Sequence, residues 1–347
     1  MEASSTAAAG SPPPNLSRGR TPRSVGESII KGLLFVAALI SIATTIGIVV
    51  SLAAETIEFF SQVSIFEYLL GTKWTPLAGG DQKSFGVLPL ISGTLYLTGL
   101  GLVVAIPLGL GSAIYLAEYA SPRARRVIKP VLELLAGIPT IVLGYFALTF
   151  ITPVVLQGIL GIEVNIFNAL SAGLALGVLI LPVVATLADD ALRSVPSSLR
   201  EGAFGLGASK RQVVLRVVFP AALSGIVAGL VLAASRAIGE TVIVLVAGGA
   251  SATLGIDPRE SFQNMAAFIA QTARGDIAAQ SVEFLTIFAV GTTLFVMTLI
   301  LNAISIRFVR RFQQVYECAS PRPPSPARWC AAPRPARACA RSSSLRR

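Results

Sequence analysis

The sequence predicts an all-α membrane protein that crosses the bilayer six times. Hydrophobic residues occupy 53% of its 347 positions and charged residues only 13%, whereas a soluble domain typically has about 25% charged residues. The hydrophobic residues are concentrated in runs of about 20 or more, the length that an α-helix needs to cross the hydrocarbon core. Because backbone groups inside a bilayer must bond to one another, we expect these runs to be helical.

The six predicted spans are 32–54, 85–117, 131–156, 166–188, 221–250 and 282–306. The first is longer than the apolar core of a signal peptide, so we expect it to be retained. The second is longer than one span requires and contains Pro107, which predicts a kink near that residue.

The distribution of positive charge predicts the orientation. Basic residues cluster in 18–31, 123–129, 193–216 and 307–311, on alternate sides of the predicted spans. The other loops contain only Lys73, Lys83, Arg259 and Arg274. Lys and Arg are enriched in cytoplasmic loops of membrane proteins, so we expect both termini in the cytoplasm.

The two ends of the chain differ from the body in composition. Residues 1–27 and 313–347 are rich in Ala, Ser, Pro and Arg, which predicts disorder on either side of a six-helix transmembrane domain at 28–312. The basic tail suits contact with anionic lipid, but we favour a shifted reading frame as its origin and assign it no function.

The residue types present exclude several kinds of chemistry. The chain contains no His, and its three cysteines, Cys318, Cys330 and Cys339, all lie in the tail. The body therefore has no disulfide, no His or Cys metal ligand and no Ser–His or Cys nucleophile, and we predict no catalytic residue, metal site or cofactor on this chain. It also lacks the Gly-Lys pair of a phosphate-binding P-loop, so ATP hydrolysis would require a partner chain.

The loop between the fourth and fifth spans, residues 190–220, has local structure of its own, and we call it the knob. Ser198 and Glu201 have the spacing of a capping box that starts a helix, and Gly207 can end it in the left-handed conformation. Ser209 and Gln212 would cap a second, amphipathic helix that runs to Pro220 at the membrane. The pattern fits docking to a soluble partner or a position on the membrane surface.

The fifth span contains charged residues in an apolar run. Arg236 and Glu240, flanked by Ser235 and Thr241, are four residues apart, which on one helix predicts an ion pair about 6 Å along the axis. The pair would either lock two spans together or form an anion site, since Arg offers planar donors suited to oxyanions. We favour the anion site because charges inside a membrane are usually functional.

Other polar residues are expected to have ordinary roles. We expect Glu118 and Glu133 to pair with basic residues of the second loop, namely Arg123, Arg126 or Lys129. Asp189 and Asp190 are expected to be solvated at the end of the fourth span. The stretch 261–273 is apolar at helical spacing, so we expect it to pack or lie on the membrane rather than meet an external protein.

The knob resembles the coupling loop of ABC importer permeases, whose signature is Glu-Ala-Ala, three residues, Gly, nine residues and Ile-x-Leu-Pro. Glu201, Ala203, Gly207 and Pro220 match it, while Gly202 replaces the middle Ala. The resemblance implies the ABC importer permease fold. It also implies that the matching residues couple the chain to an ATP-binding subunit that holds ATP and Mg.

The run 235–241 resembles the phosphate-specific, PstC-type permeases of the binding-protein-dependent transport family, as do 74–76, 85–94, 114–120 and 132–139. The resemblance covers about 28–312. It implies phosphate import across the inner membrane of a bacterium, with a PstA-type second permease, two PstB-type ATP-binding subunits and an external PstS-type phosphate-binding protein. It further implies that Arg236 and Glu240 act in phosphate passage.

Three alternatives remain at this point. Another small oxyanion such as sulfate or molybdate would suit the same class of permease. A carrier driven by an ion gradient would usually show internal repeats, which we do not find. An intramembrane enzyme would need a nucleophile and base, and no such pair is visible.

Overall fold

A computed structural model describes residues 22–79, 82–275, 277–278 and 281–312. Within these residues the protein is helical, apart from loops and one isolated antiparallel bridge between Trp74 and Phe85. The first helix begins at Pro22, earlier than the boundary expected at residue 28. The expected disorder of residues 1–21 and of the tail 313–347 falls outside the described residues.

The α-helices run in the following order: α1 Pro22–Gln62, α2 Ile65–Leu70, α3 Leu88–Ile114, α4 Pro122–Ala136, α5 Thr140–Phe146, α6 Ala169–Arg193, α7 Ser197–Gly205, α8 Lys210–Val213, α9 Phe219–Ile238, α10 Met265–Ala273 and α11 Val282–Phe312. Four π-helical segments adjoin them: Tyr115–Tyr119, Ala147–Ile159, Val214–Val218 and Val244–Gly248. Six helical stretches of the described chain are long and apolar enough to cross a membrane, as predicted.

The third predicted span, 131–156, is divided in two. The amphipathic helix α4 ends at Ala136, and the apolar helix resumes at Thr140 after a turn with Gly137 and Pro139. Proline supplies no N–H to continue a helix, which accounts for the break. The membrane-crossing part is therefore Thr140–Ile159, and α4 precedes it as a separate helix.

The helix α6 is the centre of the bundle, and α3 packs along it. A Cβ atom at Gly173 would lie 2.6 Å from the Leu100 Cβ, and one at Gly177 would lie 2.8 Å from the Val104 Cβ. Glycine at these positions lets the two helices approach closely, which is how helices commonly associate in membranes. The helix α1 lies at the edge of the bundle and contacts α11.

The two ends of the bundle are distinct. Residues 71–79 and 82–87, joined by the bridge between Trp74 and Phe85, form what we call the hairpin. The helix α3 begins beside the hairpin and ends beside the knob. The hairpin therefore lies at the end of the bundle opposite the knob, and we call that end the loop end. Phe59, Tyr68, Trp74 and Phe268 pack there through edge-to-face aromatic contacts. Burial raises the pKa of the Tyr68 phenol, whose oxygen lies 2.8 Å from the Thr293 hydroxyl.

The stretch 261–273 forms α10 and the segment before it. Met265, Ala267 and Phe268 are buried against α3 and α11, so the packing role expected for this stretch is confirmed. The preceding loop is held by an exposed ion pair, in which hydrogen bonds from Arg259 lower the pKa of Asp257 to about 2.

Candidate functional site: a broken fifth span and the knob

The fifth span is interrupted at residues 239–241, which we call the break. The helix α9 ends at Ile238 with Gly239 as its cap, and helical structure resumes at residue 242. The Glu240 carboxylate then accepts hydrogen bonds from the backbone N–H groups of Val242 at 3.0 Å and Ile243 at 3.3 Å. The predicted single span 221–250 is therefore divided into the full-length helix α9 and a short segment at 242–248, which we call the second half-helix and which Glu240 caps.

The ion pair predicted between Arg236 and Glu240 does not form within the described chain. The prediction assumed one continuous helix, but Gly239 ends the helix between the two residues. Glu240 is half-buried and caps the next segment, whereas Arg236 is exposed in the last turn of α9. A cation there is favoured by the negative end of the helix dipole.

The polar neighbours of the break hold its backbone in place. The Asn264 side-chain amide donates to the Glu240 carbonyl at 2.7 Å, and the Thr241 hydroxyl donates to the Gly239 carbonyl at 3.2 Å. The Ser235 hydroxyl donates to the Asn302 side-chain oxygen at 3.0 Å, which ties α9 to α11. These bonds supply partners for polar groups at the point where the helix is interrupted.

Asn264 was missed in the sequence, although a signal for it existed. Its side-chain oxygen accepts from the Ala267 N–H at 2.8 Å, which makes it the N-cap of α10. An Asn directly before an apolar run of helical spacing is typical of an N-cap. Its second role, holding the break, depends on tertiary contact that local patterning does not reveal.

Arg236 is the residue with the clearest chemical capacity at this site. Among the described residues, no carboxylate lies within ion-pair distance of its guanidinium. It lies on the surface of this chain with Leu232, one turn earlier and 56% exposed. An exposed guanidinium without a carboxylate partner can bind an oxyanion through two parallel hydrogen bonds. A transport path that includes Arg236 therefore runs along this surface of the chain.

The knob forms two short helices, as predicted, with one correction. The helix α7 starts at Ser197 after Pro196, and no side chain caps it, so the predicted Ser198–Glu201 capping box is wrong. Proline already fixes the backbone before the first turn, which places the start one residue earlier. Gly207 has φ +80°, which confirms the left-handed turn predicted there.

The second half of the knob differs at its end. The predicted Ser209–Gln212 capping box is confirmed, with the Ser209 N–H donating to the Gln212 side-chain oxygen at 2.8 Å. The helix does not stop at Pro220, however, but continues from Lys210 to Ile238. A π-helical turn, Val214–Val218, precedes the proline and accommodates its missing N–H.

The outer surface of the knob carries both polar and apolar groups. Glu201 is exposed, Phe204 is 47% exposed and Leu206 is 91% exposed. Ala203 instead faces inward and packs on a buried cluster that includes Val213. Exposed apolar side chains on a projecting turn are typical of a surface that docks to another protein.

Arg200 ties the knob to the π-helical segment Tyr115–Tyr119 that follows α3. Its guanidinium donates to the Glu118 carboxylate at 3.0 and 3.3 Å and to the carbonyls of Leu192 and Val195. Close by, the Lys210 ammonium lies 4.9 Å from the centre of the Tyr119 ring. The expected partners of Glu118 in the second loop were therefore wrong. Glu133 forms no ion pair within the described part of the chain.

The expectation for Asp189 was also wrong. Its side chain is 2% exposed and binds Arg125 through two bonds, at 2.6 and 3.1 Å, and Arg193 at 3.1 Å. The amphipathic helix α4 brings Arg125 across the end of α6 and covers this carboxylate, a contact between residues far apart in sequence. Asp190 is exposed, as expected.

The part of the chain that contains the knob and the break resembles a known protein family. Residues 105–314 match the family described as binding-protein-dependent transport system inner membrane component. The chain belongs to this family. The matched range contains both the knob and the break, and the chain is therefore a multi-pass membrane component of a transport system.

Curated relatives of the family extend over most of the chain. It is 33% identical over 281 residues to the probable ABC transporter permease protein YqgH of Bacillus subtilis, a match that covers 80% of this chain and 89% of that one. It is 36% identical over 248 residues to the phosphate transport system permease protein PstC 1 of Mycobacterium bovis, covering 65% and 73%.

A solved structure shares the fold. The match is to a chain of a bacterial ABC transporter involved in the import of the acidic polysaccharide alginate. It covers 84% of this chain and 99% of that one, with a TM-score of 0.58 and 16% identity. At this identity the likeness concerns the fold alone, which agrees with the predicted permease architecture.

Proposed function

We propose that this chain is a permease subunit of an ATP-driven importer and forms part of the transmembrane path for inorganic phosphate. The observation that carries the proposal is the exposed Arg236 guanidinium, which has no carboxylate partner among the described residues and lies beside a broken membrane helix. Similarity to relatives named as phosphate permeases supports phosphate over sulfate or molybdate.

Each residue of the break has a proposed part in passage. Arg236 binds phosphate oxygens through its paired N–H groups. Glu240 holds the second half-helix through its cap, so it fixes the backbone near Arg236 without neutralising it. Ser235 and Thr241 keep the break and its helix in place for passage, through their hydrogen bonds to Asn302 and to the Gly239 carbonyl.

The knob is proposed to dock to the ATP-binding subunit. Glu201 and Ala203 belong to the docking helix, Gly207 sets the turn that follows it, and Pro220 lies in the helix that leads to the break. The exposed side chains of Phe204 and Leu206 suit an apolar groove on that subunit. ATP and Mg would be bound there, with no cofactor on this chain.

The rest of the assembly follows from the same proposal. The complete importer would contain a PstA-type second permease, two PstB-type ATP-binding subunits and an external PstS-type phosphate-binding protein. The knob would face the cytoplasm of a bacterial cell, with both termini on that side and the loop end outside the inner membrane.

The test is phosphate uptake by the assembled complex in vesicles, with ATPase activity followed in parallel. Arg236→Gln is expected to lower uptake at least about tenfold, since a hydrogen bond to a charged group contributes ~1.5–3 kcal/mol. Arg236→Lys should retain part of the uptake, because it keeps the charge but loses the paired geometry.

Arg274→Gln is the matched control, because Arg274 is also exposed and has no carboxylate partner among the described residues, but it lies at the end of α10. It is expected to transport normally. Competition by sulfate and molybdate tests the alternative substrates. Full uptake by an assembled Arg236→Gln complex would remove Arg236 from the path, and absence of phosphate uptake by the parent complex would contradict the function itself.

A further inference from the structure

A groove of about 400 Å³ opens on the side of the second span, in the half of the bundle that carries the knob. Its lining residues come from α3, from the π-helical segment after it and from α4: Pro107, Leu108, Gly111, Ser112, Tyr115 and Ile128. Leu108 is exposed, and a Cβ atom at Gly111 would meet nothing within 4 Å, so the groove is open to the surroundings of the chain. Because this stretch belongs to a membrane-crossing helix, those surroundings lie within the membrane.

The groove continues toward the knob along one face of the second span. Residues that follow one another there at intervals close to one helical turn share that face, and they are Leu108, Ser112, Tyr115 and Tyr119. Tyr115 and Tyr119 are 45% and 46% exposed. Tyrosine, with an apolar ring and a polar hydroxyl, is enriched where a membrane span passes from the hydrocarbon into the headgroups. The face therefore changes from apolar to polar as it approaches the knob.

A cation lies at the end of this face. The ammonium of Lys210, the first residue of α8 in the knob, is 4.9 Å from the centre of the Tyr119 ring. Lys210 is exposed, and among the described residues no carboxylate lies within ion-pair distance of it. The aromatic contact holds the ammonium in place without neutralising its charge. An anionic group from outside the chain can therefore bind there.

The contact between Lys210 and Tyr119 lies at the depth of the lipid headgroups. Tyr119 is the last residue of one membrane-crossing stretch, Leu88–Tyr119, and Lys210 is the first of another, Lys210–Ile238. With 32 and 29 residues, these stretches are roughly 46 and 42 Å long. The hydrocarbon core is about 30 Å thick and the bilayer with its headgroups about 40–45 Å, so the ends of both stretches reach the headgroup layer. The groove, nearer the middle of the second span, lies in the hydrocarbon beside them.

We infer that the groove binds an anionic phospholipid, with an acyl chain between α3 and α4 and the headgroup phosphate at the Lys210 ammonium. The occupant has to fit an apolar groove in the hydrocarbon and a cation in the headgroup layer together, and a phospholipid combines these two chemistries in one molecule. The bound lipid contacts the second span, α4 and the knob, so it stabilises the knob on the bundle. This site goes beyond the proposed transport function and does not depend on it.

Lipid retention by the purified chain tests the headgroup contact. The full-length chain in a neutral detergent is titrated with phosphatidylglycerol or with phosphatidylcholine, and native mass spectrometry counts the retained lipid. We expect phosphatidylglycerol to be retained in preference to phosphatidylcholine. Lys210→Gln should lower the affinity for phosphatidylglycerol about fivefold, the effect of one basic residue on attraction to anionic lipid. Arg211→Gln is the matched control, since Arg211 is also exposed but makes no such aromatic contact among the described residues, and the affinity should change little.

Filling the groove tests the acyl-chain contact separately. Gly111→Leu places a side chain in the groove without a clash, and leucine favours a helix more than glycine does, so the variant should fold. It should retain less of both lipids than the parent chain. Gly99→Leu is the matched control, because Gly99 lies on the same helix with equally open space at its Cβ position but outside the groove. Phosphatidylglycerol should raise the melting temperature of the parent and of Gly99→Leu, but not that of Gly111→Leu, since a ligand that binds the folded state stabilises it.

Two results with the single chain would overturn the inference. One is equal affinity of the parent chain and Lys210→Gln for phosphatidylglycerol, and the other is undiminished retention by Gly111→Leu. The assembled complex, extracted from vesicles of phosphatidylcholine and phosphatidylglycerol, distinguishes a lipid from a partner subunit. We expect the complex to retain phosphatidylglycerol and to lose it in Gly111→Leu. If the single chain retains this lipid but the complex retains none, a helix of another subunit covers the groove, and the inference is wrong.

Discussion

The contact between Glu118 and Arg200 predicts how the knob transmits movement. The Arg200 guanidinium joins α7 to the π-helical end of the second span and also binds two backbone carbonyls of the chain that leads into the knob. The stacking of Lys210 on Tyr119 lies beside it. The knob is therefore fixed to the second span as well as to the fifth, and a displacement of α7 should move both.

Glu118→Gln removes the charge and keeps the size of the side chain. The two side chains are 10% and 21% exposed, so water screens the pair only in part. A hydrogen bond to a charged group contributes ~1.5–3 kcal/mol, and partial exposure places this pair near the lower value. A loss of about 1.4 kcal/mol raises the detached population of the knob roughly tenfold.

The assay is the ratio of ATP hydrolysed to phosphate imported by the reconstituted complex. We expect Glu118→Gln to raise this ratio several-fold, because ATP-driven movement of the knob no longer reaches the second span fully. Glu133→Gln should leave the ratio unchanged, since Glu133 forms no ion pair among the described residues.

An unchanged ratio in an assembled Glu118→Gln complex would refute the reasoning, because the contact would then be dispensable for transmission. A complex that fails to assemble would show that the same contact shapes the docking surface. Direct measurement of binding to the ATP-binding subunit distinguishes this outcome from a defect of transmission. Loss of binding would also contradict a role of the contact in transmission alone.

Two further substitutions test the structure of this end of the bundle. Asp189→Asn leaves Arg125 without its charged partner in a buried setting and should lower the free energy of unfolding by ~3–5 kcal/mol. Asp190→Asn, at an exposed position, should change the free energy of unfolding little. Thermal unfolding of the detergent-solubilised chain compares the two variants. Gly207→Ala places a side chain at φ +80° and should cost ~1–2 kcal/mol, with weaker binding of the ATP-binding subunit. Gly202→Ala, in the exposed middle of α7, should instead stabilise that helix by up to ~1 kcal/mol. If both glycine variants bind the ATP-binding subunit equally well, the turn at Gly207 has no role in docking.

The sequence predicted those features that depend on composition and short spacing. The six spans follow from apolar runs long enough to cross a bilayer. The turn at Gly207 and the cap of Ser209 by Gln212 involve residues only a few positions apart, so their patterns could be recognised without the fold. The limits of the helices were less certain, as the division of the third span shows.

The features that were missed depend on contacts between distant segments or on competition between local signals. Asp189 is buried because α4 lies across it, and nothing near Asp189 in the sequence predicts that contact. At the fifth span, the i to i+4 spacing of Arg236 and Glu240 competed with the helix-ending tendency of Gly239. The spacing rule applies only within one helix, so Glu240 became a cap instead.

The helix that links the knob to Arg236 gives the two candidate sites a common mechanical element. Helical structure runs without interruption from Lys210 to Ile238, a length of 29 residues or roughly 42 Å. Within the break, the Glu240 carbonyl accepts a hydrogen bond from the side chain of Asn264, which belongs to the loop end. Movement of the knob should therefore displace Arg236 while the second half-helix stays with the loop end. Because the break lies between them, the guanidinium can change its position relative to the loop end without unfolding either part.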